Sequence, residues 1–473
     1  MPGHGLGLAG SVAVLALSGG GLRYQCPQSG IFSQILEVQV LLLGYFQVGS
    51  QPLQPVSQLS QPPLCPALGH EPMLSTRHSH TLLQLEAKTR STTSLLAHND
   101  GRRRTPMSDE IQENAVNGKV WADFCDNLKE AGQIILDNST DDLDRLEGFR
   151  YLSRLTRGEL GRLENHGPAH TQILPIAHNV KIGCDNPDAL YQGVPISGAY
   201  DYRIRGPRGT VNYLSLNALS GSFGMGGAPP GRQGALAFND PQPGEQVDVI
   251  ASASEPELEP GQRWLQTGPE TNQIAIRNFY LDRSAERPSE LHIECLNGPD
   301  ELPPPLSAQR LTHGLARAAL GVHGIARRFV EWLDMFQERP NTLEFLPKRD
   351  GPGGWGDPTQ KFRHGYWILE PGQALVIDVP PIDVYYWNFQ LNNIWEESLD
   401  YDWLQVTVNK HTAVYEPDGT ARIIVADEDP GFANWIHTAY RRHGTMGLRY
   451  NQVVEDIPPT LRVMEAADLP SLR

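Results

Sequence analysis

The sequence predicts a mainly β protein with helices (α+β): two β-sandwich or jelly-roll-like modules joined by a long helix and preceded by a short helical segment. Three observations carry this reading. Residues 362–450 are short β-branched and aromatic runs cut by Pro-Gly, Pro-Pro, Pro-Asp-Gly and Asp-Pro-Gly turns, the pattern of antiparallel strands. Short strand-like runs also fill residues 174–295. Between the two, apolar residues recur every three or four positions from Leu311 to Phe336, as on one face of a helix.

The elements follow in chain order. Residues 1–106 stand apart: they carry seven Lys+Arg and four Asp+Glu, whereas the remainder carries a charge of −19 and all nine tryptophans, from Trp121 onward. Their apolar runs near Leu8–Leu17 and Ile35–Phe46 are shorter than a membrane span needs. A cleaved leader, a disordered tail and translated sequence upstream of the true start all fit, and the last is preferred, because Met107 opens an ordinary acidic beginning. A cytoplasmic location is expected, with export if residues 1–30 act as a signal peptide.

Residues 107–165 read as a helical segment. Trp121, Phe124, Leu128, Ala131 and Ile135 share one helical face, and Ser139-Thr140-Asp141-Asp142 caps a second helix with Leu143, Leu146, Phe149 and Leu152 turned inward. Residues 166–300 form the first β module. In it the two alternating runs of Ala199–Gly224 read as a hairpin about Gly206-Pro207-Arg208-Gly209, and Gly221–Gly234 as a loop. Residues 301–345 are linker and long helix, a strut between the modules that stops before Pro340. Residues 346–455 are the C-terminal sandwich, and 456–473 a tail of strand fragment and loose end. No short-period repeat is visible.

The net charge of −16 disfavours nucleic acid and membrane surfaces. A small-molecule ligand is the expected partner, and a homo-oligomer is left open. The five cysteines are scattered without CxxC spacing, so neither a disulfide framework nor a zinc site is indicated.

The carboxyl half resembles the bacterial proteins grouped as domain of unknown function (DUF) 1214. The resemblance rests on Tyr385-Tyr386-Trp387-Asn388-Phe389, Asn409-Lys410-His411-Thr412, Pro417-Asp418-Gly419, Asp429-Pro430-Gly431, Asn434-Trp435-Ile436 and Gly447-Leu448-Arg449-Tyr450. Upstream, Glu147–Leu152, Asp185–Asp188 with Tyr191, and Tyr202–Gly206 are similar to longer members. The resemblance implies a jelly-roll-like sandwich and little chemistry. Where the family has Asn-Trp-Leu-Pro, this chain has Asn434-Trp435-Ile436-His437.

No G-x-S-x-G elbow is present, and Cys184 reads as a buried structural thiol. After Met107 there is no H-x-H or H-E-x-x-H pattern, so no metal and no cofactor are expected. The candidates are a polar-aromatic pocket. His411, with His178 and Asp188, would supply acid–base groups. Tyr385, Trp387, Asn434, Trp435 and Arg449 would bind ligand, and Arg203 and Arg205, on one side of a strand, could hold an anion unless Asp or Glu pairs with them. The expected function is an enzyme acting on a small hydrophobic or ring-containing metabolite by acid–base chemistry. The alternative is a non-catalytic carbohydrate- or lipid-binding β-sandwich.

Overall fold

A computed structural model describes residues 106–175, 181–221, 231–345, 360–452 and 457–473. The first 105 residues and His178 lie outside the described residues.

Three helices open the fold: α1 (Pro106–Val116), α2 (Lys119–Asn138) and α3 (Asp142–Gly161). The cap of α3 is as expected, with the Asp141 carboxylate accepting from Asp144 N–H at 2.8 Å. The buried faces differ from the expectation. In α2, Phe124, Ala131 and Ile135 are buried but Trp121 is 54% exposed. In α3, Leu143, Leu146 and Phe149 face outward, and Asp144, Gly148, Tyr151 and Leu155 face in. The reason lies in the C-terminal module. The inner acids of α3 are satisfied by the C-terminal module, and Gly148 lets Trp395 approach: a Cβ there would lie 2.9 Å from its indole.

The first module holds β1 (Leu174–Pro175), β2 (Ala189–Pro195), β3 (Tyr202–Pro207), β4 (Tyr213–Ser220), β5 (Gly231–Asn239), β6 (Gln246–Ser252), β7 (Arg263–Gln266), β8 (Thr271–Phe279) and β9 (His292–Cys295). A five-stranded sheet, β1-β2-β8-β4-β5, packs on a four-stranded one, β7-β6-β3-β9, through Leu214, Leu216 and Ile274 against Tyr202, Val247 and Val249. The expected β3–β4 hairpin is therefore corrected to a crossover: β3 pairs with β6 and β9, while β4 pairs with β5 and β8. Arg208 anchors this corner, fully buried with its guanidinium donating to Val211 O and Phe238 O. The glycine tract is also corrected, since Gly231–Gly234 belong to β5.

Helix α4 (Ala308–Gln337) runs as the periodicity predicts, capped by the Ser307 hydroxyl and ending before Pro340. It lies chiefly against α1, α2 and α3, with its C-terminal half on the second module. It joins the two β modules as expected and is also the core of a helical layer.

The second module holds β10 (Glu344–Phe345), β11 (Gln360–Ile368), β12 (Gln373–Val379), β13 (Tyr386–Leu391), β14 (Thr407–Asn409), β15 (Ala421–Ala426), β16 (Trp435–His437), β17 (His443–Asn451) and β18 (Thr460–Glu465). Its sheets are β10-β11-β17-β13-β14 and β16-β15-β12-β18. The supposed tail is integral: β18 pairs along β12, and Leu469 beyond it is fully buried.

Adding nine to each strand number of the first module reproduces the second, including, among the described residues, one parallel pair in each, β6–β7 and β15–β16. The registers agree as well. The row Tyr191–Arg277–Ser215–Ala237 corresponds to Phe362–Arg449–Asn388–Asn409. The Trp264 indole donates to Ser252 O at 3.1 Å, and the matching Trp435 indole to Ala426 O at 3.0 Å. The protein is a topological duplication.

Candidate functional site

Alternation along β13 sends Trp387, Phe389 and Leu391 into the sandwich core and Tyr386, Asn388 and Gln390 to the opposite face. That second face is buried too, under residues 181–188, the loop 392–400 and α4. It carries a continuous polar layer.

At one end, the Tyr386 hydroxyl and Asn409 Nδ2 donate to the Asp188 carboxylate at 2.8 and 3.1 Å. Asn388 Nδ2 and Tyr386 both engage Asn186. Burial raises the Asp188 pKa against these hydrogen bonds. In the middle, Arg449 donates to Gln390 Oε1, to Cys184 O and, at 3.3 Å, to Asn388 Oδ1, with its guanidinium 4.0 Å above the Phe362 ring. Gly447 makes room for that ring, since a Cβ there would lie 2.8 Å from Phe362 Cζ.

At the other end the Cys184 thiol donates to Glu396 Oε2 at 2.5 Å, accepts from Asn392 Nδ2 at 2.9 Å and lies 3.8 Å from His364 Nδ1. Cys184 N–H also donates to Glu396 O at 2.7 Å. Both residues have left-handed backbones, φ 55° and 60°, which side chains other than glycine adopt at a cost of about 1–3 kcal/mol. Burial pushes the Glu396 carboxyl up to about 7, opposed by hydrogen bonds from Cys184 and Thr445 and by the Arg449 charge. Burial, then the Glu396 charge, pushes the Cys184 thiol up. Burial and Arg449 push His364 down to about 3, so its imidazole is neutral. One candidate ligand atom each from Cys184, His364 and Glu396 lies within 4.8 Å of the others.

The loop that carries Glu396 also floors an open groove of about 480 Å³. Asn393, Ser398 and Asp400 line the floor side; Leu143, Leu146, Leu404 and Tyr440 supply apolar walls.

Of the residues singled out from the sequence, Asp188 and Arg449 lie in the polar layer. His411 does not: it is exposed on a turn after β14. Asn434 is a clamp, exchanging hydrogen bonds with Val414 and donating to Arg422 O. Trp435 packs on the outer face of β15, and Trp387 lies in the sandwich core. The Tyr385 hydroxyl bridges to Asn212 and Asp240 of the first module. Arg203 is held by Asp248 at 2.6 and 2.9 Å, and Arg205 lies 4.0 Å from Glu294; both are engaged by the chain's own acids. Cys184, expected as a structural thiol, lies beside His364 and Glu396, which no sequence motif marks, and Gln390 completes the layer. The alternation of Asn388, Gln390 and Asn392 opposite Trp387 and Phe389 was the available signal.

A crystal structure of an uncharacterized protein from Burkholderia cenocepacia is 37% identical in sequence and superposes with a TM-score of 0.71, over 75% of this chain and 99% of that one. The chain belongs to that family. The VPA0106 protein of Vibrio parahaemolyticus matches over 72% of this chain and all of its own, at 12% identity and a TM-score of 0.39, too low to carry an argument. No family model and no curated protein match. No helix among the described residues is long and apolar enough to cross a membrane.

Proposed function

We propose that this protein is a cytoplasmic DUF1214-like enzyme that acts on a small, largely apolar molecule by proton transfer. Glu396 is the proton-carrying carboxyl, Cys184 its hydrogen-bond partner, and the groove bounded by Leu143, Leu146 and Tyr440 the approach. The observation that carries this is a fully buried carboxyl with a pKa near 7 and a thiol at 2.5 Å. A general acid–base group works best when its pKa is near the operating pH, and strained, desolvated carboxyls are more frequent at working sites than in structural cores. Asp188 keeps a supporting place, orienting Tyr386 and Asn409. His411, on an exposed turn, takes no part.

The non-catalytic alternative has one observation in its favour. A shallow pocket of about 340 Å³ on the second module is lined by Trp387, Tyr415, Lys410 and Pro380–Ile382, an aromatic wall with a cation of the sort sugars and lipid head groups use.

Thermal-shift screening of the protein against small aromatic and alicyclic acids, alcohols and amides tests the choice. A groove ligand should raise the midpoint in the native protein and not in Leu146→Arg. Glu396→Gln should still bind it and fail to convert it. Conversion at the native rate by Glu396→Gln would overturn the assignment. Ligands lost only on Lys410→Ala would favour the binding alternative.

A further inference from the structure

We infer that Cys184, His364 and Glu396 form a binding site for one borderline divalent cation of the zinc class. This rests on the reading of Cys184 and Glu396 as the working centre, and adds His364 and a cation to it.

The donor set is the first argument. A thiol, an imidazole and a carboxylate are the side chains that take zinc, and three protein ligands with one open position is the arrangement of its catalytic sites. Sγ and Nδ1 are 3.8 Å apart; two such ligands on one tetrahedral zinc stand about 3.5 Å apart. The thiol–carboxyl hydrogen bond must open to admit the ion, and the thiol proton leaves to solvent as the thiolate binds.

The second argument is independent of composition. Glu396 is fully buried, its carboxyl meets the Cys184 thiol and the Thr445 hydroxyl, and no cationic side chain forms an ion pair with it among the described residues. A buried carboxylate without a paired cation is costly; a metal ion would neutralise it.

The third is the surrounding shell. Asn392 Nδ2 donates to the sulfur at 2.9 Å, and Arg449 donates to the Cys184 carbonyl. Such outer contacts orient metal ligands. The His364 ring is held by Phe336, stacked at 5.3 Å, with Phe362 and Trp332 on other sides. The imidazole is thereby fixed with Nδ1 toward the sulfur in an apolar box.

Cobalt(II) is the probe, because a cobalt–thiolate bond gives a near-ultraviolet charge-transfer band. The full-length protein is titrated with cobalt both folded and during refolding from urea, since the site is buried. One equivalent should bind, with the band present, and zinc should displace it. Cys184→Ser should lose the band while keeping the native far-ultraviolet circular dichroism. His364→Gln and Glu396→Gln should each weaken binding at least tenfold, which guards against a serine variant that misfolds. No band under either loading condition, or a band that survives Cys184→Ser, overturns the inference. The two readings fail separately. A protein that binds cobalt but converts no groove ligand keeps the metal site and loses the enzyme. One that converts ligand after chelator treatment and never shows the band loses the metal site and keeps the enzyme.

Discussion

Gly148 and Arg449 show how single positions hold the buried layer in place. At Gly148 a Cβ would meet both Ile135 and the Trp395 indole, whose Nε1 donates to Asp144 O at 2.8 Å. Gly148→Ala should cost about 1–3 kcal/mol, the usual range for overpacking, read as a lower urea midpoint with an unchanged slope. Arg449 joins the two ends of the polar layer: it serves Gln390 and Asn388 and the carbonyl of Cys184. Arg449→Met would keep the volume and strand three buried acceptors, at about 3 kcal/mol. His411→Ala, on an exposed turn, should stay within about 0.5 kcal/mol of the native protein. Equal effects of the last two changes would remove Arg449 from its organising place.

At the scale of elements, α3 is tied to the C-terminal module by paired charges: His443 with Asp144 at 3.2 Å, Arg441 with Glu147, and Arg154 with Glu397 at 2.6 Å. Asp141 and Arg441 also face the His443 ring electrostatically. The hydrogen bond to Asp144 raises the His443 pKa. Burial alone would raise that of Asp144, but His443 and Thr140 bring it below the ordinary value. The signs differ. The raised histidine contributes stability that is complete below its unfolded pKa and is lost as pH rises through its folded pKa. The lowered aspartate contributes stability present above its unfolded pKa and lost as pH falls through its folded one. The clasp is therefore strongest in mildly acidic solution and weakens toward alkaline pH. Denaturation midpoints of the native protein should decline from pH 6 to pH 8 more than those of His443→Gln; parallel profiles would show the clasp to be inert. This tie also explains why the burial of α3 was not legible in the sequence. Of the apolar stripe Leu143, Leu146, Phe149 and Leu152 only Leu152 is buried; the packed face also takes in Asp144, Glu147, Gly148, Tyr151 and Leu155, because Asp144 and Glu147 find partners some 250–300 positions away. Periodicity reports apolar faces, not satisfied polar ones. Helix α4, whose buried face is wholly apolar apart from glycine, was readable from Leu315 to Phe336. The β3–β4 corner was not, since Gly-Pro-Arg-Gly marks a turn without saying whether the next strand pairs with the last.

On the scale of the whole molecule, the duplication and the site are aspects of one arrangement. The five-stranded sheet of each sandwich carries an arginine at the matching place, Arg277 and Arg449, and both act electrostatically on the buried Tyr191 hydroxyl. Tyr213 and Phe279 of the first module pack with Tyr386 of the second, so the two equivalent faces meet along an aromatic and polar seam. The sequence held faint traces of this, in Trp264-Leu265-Gln266-Thr267 beside Trp435-Ile436-His437-Thr438, but four residues in each copy are too few to declare a repeat. The candidate centre was hidden for a related reason: Cys184, His364 and Glu396 come from three segments with no fixed spacing, and only the seam assembles them. A seam of buried hydrogen bonds has a consequence for folding. If either sandwich opened alone, Asp188, Asn186, Asn388 and Gln390 would lose their cross-module partners, each at a cost of about 1–3 kcal/mol when left dry. Sandwiches joined in this way should not unfold in turn. Tryptophan fluorescence, dominated by the second module with Trp367, Trp387, Trp395, Trp403 and Trp435, and far-ultraviolet circular dichroism, which sees both modules, should therefore give coincident urea transitions. Tyr386→Phe, which deletes the hydroxyl that reaches Asp188, should lower both midpoints together. A fluorescence transition that precedes or trails the dichroism by a resolved interval would show that the sandwiches are independent and that the seam contributes little to cohesion.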